Sequence, residues 1–119
     1  MILHITSKQE WLAAQTKGEY IAPSLASEGF IHCSTEKQVL NVANAFYRGQ
    51  TGLVLLKLDE TRLRSEVKWE APAGPPADNI SEADLFPHVY GPINLEAVVS
   101  VLDFEPDPVS GNFSLPDRI

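Results

Sequence analysis

Twice in its first half the chain runs from a short apolar stretch straight into a helix-start signature. Ile2 to Thr6 is apolar and rich in β-branched residues, as a strand is. Ser7 follows, with Glu10 three residues on; in such a capping box each side chain satisfies a backbone N–H that the helix start leaves unpaired. Trp11, Leu12, Ala14 and Gln15 continue the helix, and Gly18 is its stop. Phe30 to Cys33 reads as a second strand, and Thr35 with Gln38 forms a second capping pair. Val39, Val42, Ala43 and Phe46 then recur at helical spacing up to Gly49. Two strand–helix runs followed by a mostly extended half read as one α+β domain.

The second half is mostly extended. Leu53 to Leu58 is a continuous apolar run of strand length, expected to be buried on both faces. Asp59 to Glu66 is polar with room for one helical turn, and Val67 to Glu70 is a short strand. Ala71 to Pro87 carries Pro72, Gly74, Pro75, Pro76 and Pro87, a density that reads as one long loop, a form that mobile lids take. His88 to Gly91 emerges from it, Asn94 caps a turn through Leu95 and Glu96, and Val98 to Phe104 is the last strand. The reading is one domain over residues 1–105 and a polar, loosely held tail over 106–119.

Composition narrows the partners. The 119 residues carry a net charge of −7 with only nine Lys and Arg, so nucleic acid is a poor partner. One cysteine permits no internal disulfide. The N-terminus has no signal-peptide pattern, and no apolar stretch approaches the ~20 residues of a membrane span. A cytoplasmic, reducing location is the default expectation. Nothing in the sequence sets the oligomeric state.

The candidate chemistry lies at the strand ends. Alternation puts His4 and Thr6 on one face with Leu3 and Ile5 opposite, and Phe30, His32 and Ser34 on one face with Ile31 and Cys33 opposite. If these strands neighbour each other, two imidazoles and two hydroxyls line one surface; a cleft admitting water or ligand is the economical arrangement. The helix start at Ser34 and Thr35 offers free N–H groups to an anion. His4, His32 and His88 could together hold zinc, although their spacing shows no ligand pair on one element. Glu70 is a candidate general base or stabiliser of positive charge, and Tyr90 with Gly91 could stack on and approach a ligand. Cys33, on the apolar side, reads as a small hydrophobe.

The segments His4-Ile-Thr6, Trp11, Gly29-Phe-Ile-His-Cys-Ser-Thr35, Trp69-Glu70 and Phe86-Pro-His-Val-Tyr-Gly91 together resemble the bacterial domain-of-unknown-function family 952, over about residues 2–104. The arrangement also resembles RNA 2′-phosphotransferases, within the ADP-ribosyltransferase-like folds. Those pair a first-strand His-x-Thr with a later His-x-Ser strand, a helix, a glycine and an apolar strand. The resemblance implies a small, split, twisted β core of about five to six strands with two main helices, holding NAD, ADP-ribose or a related nucleotide in its cleft. His4, Thr6, His32, Ser34, Thr35 and Tyr90 would then contact the ligand. His4, His32, Glu70 and His88 would carry a glycosyl or phosphoryl transfer that stabilises positive charge at a ribose carbon. Four arginines (Arg48, Arg62, Arg64 and Arg118) and the acidic balance argue against RNA. A non-catalytic ligand-binding module and a three-histidine metal hydrolase are the alternatives.

Overall fold

In the computed structural model, which describes residues 1–74, 77, 79–81, 83–117 and 119, the second capping box closes in both directions and the first in one, the Glu10 side chain accepting the Thr6 hydroxyl. Ser7 Oγ accepts the Glu10 N–H at 3.0 Å and starts helix α1 (Lys8–Lys17), directly after strand β1 (Ile2–Ser7). Gly18, left-handed at φ 95°, ends α1 by donating its N–H to Ala14 O. At the second box Thr35 N–H donates to Gln38 Oε1 and Gln38 N–H to Thr35 Oγ1, and after one turn the chain enters α3 (Val39–Phe46). Between the boxes lie β2 (Glu19–Tyr20), α2 (Pro23–Glu28) and β3 (Ile31–His32).

The apolar run forms β4 (Leu53–Leu58), sandwiched antiparallel between β1 and β8 (Val98–Phe104). It is buried on both faces because each face has its own core. Val54, Leu56 and Leu58 join Ile2, Ile31, Val89 and Ile93 on one side. Leu53 and Leu55 join Leu3, Ile5, Val39, Ala43 and Phe104 on the other. The second sheet is β3–β6–β5, with β5 at Glu66–Glu70 and β6 at Phe86–Tyr90; β2 pairs with β7 (Ile93–Asn94). A single bridge, Leu3 to Ser34 in both directions, stitches the two larger sheets together.

The described residues thus form a mixed α+β fold of eight strands in three sheets with three α-helices. This is finer than the expected five to six strands and two helices, because two-residue strands such as β2 and β7 are too short to carry a period. The loop expected to run to Pro87 ends earlier. Pro87 sits inside β6, where its carbonyl accepts the Cys33 N–H at 3.1 Å. Proline has no N–H to return, so the β3–β6 ladder stops there. Asn94 does not cap its turn; its side chain accepts Arg64 N–H and donates to Arg62 O.

The loosely held tail is also corrected. Phe113 is buried and stacks on Phe104 with ring centres 4.6 Å apart, while Leu115 and Ile119 pack against the same core. Phe113 N–H donates to Asn44 Oδ1 and Lys57 donates to the Ile119 carbonyl. Three apolar side chains spread through a polar segment, with Phe113 the most buried, anchor it. Phe113→Ala is therefore expected to destabilise the fold by about 3 kcal/mol, as buried Phe-to-Ala changes do; urea unfolding measures it.

Candidate functional site

The stop imposed by Pro87 sets the site. With Cys33 opposite Pro87 as a hydrogen-bonded position, the next pair, His32 and His88, is a non-hydrogen-bonded one, in which side chains stand closest. Their ring centres lie 5.7 Å apart on one face. They open on a cleft of about 600 Å³ between the two larger sheets, α2, α3 and the proline-rich loop, which contributes Pro72, Gly74 and Ile80. That volume lies within the range of small-molecule sites.

Each of these two histidines has a carboxylate behind it. His88 Nδ1–H donates to Glu70 Oε1 at 2.9 Å, and the same oxygen accepts the Tyr90 hydroxyl. Those two bonds hold the Glu70 pKa below its usual range, so it is an anion. The pair fixes the His88 tautomer and leaves Nε2, without a partner among the described residues, as a bare acceptor on the ring that lines the cleft. Phe30 stacks on the His88 ring at 4.1 Å and holds its plane. His32 Nε2 meets Glu28 Oε2 at 2.9 Å, and both side chains are about two-fifths exposed.

His4 differs. Its Nδ1–H donates to the His32 carbonyl, and its Nε2 faces the Tyr20 hydroxyl at 2.8 Å. Burial lowers its pKa to about 4, so the ring is neutral at neutral pH. Although it forms part of the cleft wall, both nitrogens are engaged by the protein. The expected direct ligand contact through His4 is therefore corrected, and so is the three-histidine zinc alternative. Among the described residues no group of three His, Cys, Asp or Glu is placed to hold a metal ion.

The expected anion site at the second helix start is likewise corrected. The Ser34 N–H is bonded to Leu3 O and the Thr35 N–H to Gln38, so neither is available. Ser34 lines the cleft, but Thr35 faces away from it into a smaller polar recess. Tyr90 is a second donor to Glu70 rather than a stacking ring for a ligand, and Lys68 lies over its face at 4.7 Å. Gly91 is needed for packing, since a Cβ there would stand 2.4 Å from Ser65 Oγ. Glu70 is not among the residues lining the cleft and meets it through its bond to His88. Cys33 is buried as expected, and burial pushes its thiol pKa up.

Three site residues gave no signal in the sequence. Glu28 ends α2 and reaches His32 across a chain reversal at Gly29. Tyr20 lies on a two-residue strand and joins His4 to Thr6. Glu10 read only as half of a capping box, although its side chain accepts the Thr6 hydroxyl and lines the cleft.

Fold and cleft together define a small α+β protein with two histidine–carboxylate pairs at one cleft, the His88 ring buried and the His32 ring partly exposed. The chain belongs to the family described as "Protein of unknown function (DUF952)", matched over residues 5–101. It is similar to protein CC0527 from Caulobacter crescentus. The crystal structure of that protein shares 32% identity at a TM-score of 0.81, covering 98% of this chain and 96% of that one. Its solution NMR structure shares 32% identity at a TM-score of 0.78, covering 99% of this chain and 95% of that one. No curated protein sequence matches the chain.

Proposed function

We propose that the chain is an enzyme that works by general acid–base catalysis on a ribosyl ligand with a neutral or cationic base. The observation that carries this reading is the side-by-side placement of the His88–Glu70 and His32–Glu28 pairs on one cleft. His88 Nε2 is the proton acceptor: it takes a proton from an attacking water or hydroxyl as the new bond to the ribose carbon forms. The bond from that carbon to the base breaks, and the base leaves with the electron pair. His32, within one ring's reach, donates a proton to a neutral base as it leaves; a cationic base departs neutral and needs none. The carboxylates of Glu10 and Glu28, both in the cleft lining, stabilise the positive charge that develops at the ribose carbon.

The resemblance of the His-x-Thr and His-x-Ser strands to ADP-ribosyltransferase-like folds supports a ribosyl ligand, with NAD and ADP-ribose among the candidates. The charges refine that choice. No Lys or Arg lines the cleft among the described residues, and the Ser34 and Thr35 N–H groups are engaged. A phosphoryl group meets no cation there, which favours glycosyl over phosphoryl transfer and a nucleoside over a dinucleotide.

Calorimetry with nicotinamide riboside, NAD and ADP-ribose, followed by chromatography for released base, tests this. The expected result is tightest binding of the cationic nucleoside, with base released. Binding without release would make the chain a non-catalytic module. If none of the three binds at millimolar concentration, the ribosyl reading fails.

A further inference from the structure

A chain of four contacts crosses the wall of the cleft. His4 Nδ1 faces the His32 carbonyl, His4 Nε2 faces the Tyr20 hydroxyl at 2.8 Å, that hydroxyl faces Thr6 Oγ1 at 2.9 Å, and Thr6 faces Glu10 Oε2 at 3.0 Å. His4, Thr6 and Tyr20 are buried, whereas Glu10 is exposed on the cleft. Each contact needs one hydrogen. A neutral imidazole supplies one, and each hydroxyl supplies one. The carbonyl and an ionised carboxylate supply none. Three hydrogens therefore serve four contacts, and every arrangement of them leaves one contact unfilled.

One added proton fills all four, and it has two resting places. On Glu10, the acid donates to Thr6, Thr6 to Tyr20, and Tyr20 to His4 Nε2. On His4, the imidazolium donates to Tyr20, Tyr20 to Thr6, and Thr6 to the carboxylate. Passing from the first to the second moves one proton along each of three hydrogen bonds, breaks no heavy-atom bond, and converts acid plus neutral imidazole into carboxylate plus imidazolium.

We propose that Glu10, Thr6, Tyr20 and His4 form a one-proton relay between the cleft and the buried imidazole, which makes Glu10 a further acid–base group of the cleft and Tyr20 its positioning link. The relay stands independently of the reaction proposed above. The titratable groups that face it from neighbouring elements are His32 and Cys33 on the β3 segment, Glu28 at the end of α2, and Tyr47 after α3. Among these only Glu28 is a carboxylate, and it is already bonded to His32.

Glu10→Gln is the diagnostic substitution, because its amide N–H donates to Thr6 and supplies the missing hydrogen without a charge. At pH 7 the E10Q protein is expected to show a higher Tm than wild type and an upfield shift of the His4 Nε2 resonance, which now always accepts from Tyr20. The protonation of His4 is expected to move to lower pH. A through-space charge effect would do the last as well, so the cycle is repeated in Tyr20→Phe and, should that variant fold poorly, in Thr6→Val. In either background all three effects of E10Q are expected to vanish, while Thr6→Ser retains them. Effects of E10Q that persist without the link, or an E10Q protein with unchanged Tm and Nε2 shift, would overturn the relay.

Discussion

Between pH 7 and pH 4 the fold is expected to lose about 3 kcal/mol of stability through His4. Burial lowers the folded-state pKa from 6.5 to about 4, and each unit of difference is worth about 1.4 kcal/mol. The folded state holds the neutral ring, while the unfolded chain binds a proton as pH falls below 6.5. The contribution is therefore complete above that value. It is lost progressively as the pH falls toward 4, where the folded ring takes up its own proton. Urea unfolding midpoints across this range measure the slope. In His4→Gln, which has no ring to titrate, the part of the slope between pH 6.5 and 4 should flatten, although the variant begins from a lower stability. A wild-type profile flat over that window would mean that the ring is not sealed.

Turnover should be most sensitive at His88. His88→Gln keeps a side chain able to bond Glu70 but removes the acceptor nitrogen at the cleft. It is expected to lower kcat by about 10²–10⁴-fold, the usual contribution of a general base, with a small change in KM. Glu70→Gln retains an oxygen for the His88 and Tyr90 donors and loses only the negative charge. It should cost less, because the ring stays in place while the imidazolium formed during reaction loses its counter-ion. Stopped assays of base release on purified variants compare the two. Equal losses would contradict this ordering and show that the base and its counter-ion act as one unit.

The contrast between these residues shows what the sequence makes legible. Strands β1, β4 and β8 and both capping boxes follow from local patterns, because pleat and cap chemistry act over a few residues. The shared face of His4 and Thr6 follows for the same reason. What that face meets does not. Tyr20 reaches His4 through a pairing of two residues each way, β2 with β7, and no local pattern encodes so short a ladder. All three histidines line the cleft, but they differ in their partners: both His4 nitrogens face protein groups, whereas His32 and His88 each pair with a carboxylate. The role of Pro87 was equally hidden. Its effect is to end a ladder with a strand more than fifty residues earlier, and proline density alone reads as loop. The tail failed for the opposite reason: Phe113, with Leu115 and Ile119 packed beside it on the same core, outweighs the polar residues around it.

The most direct test of the whole account is the ¹⁵N spectrum of the His88 ring during titration with nicotinamide riboside. Ligand should shift the Nε2 resonance while Nδ1 keeps the signature of an N–H bonded to the Glu70 carboxylate. A titration that leaves Nε2 unmoved, or that finds the proton on Nε2 in the free protein, would contradict a base poised on this cleft.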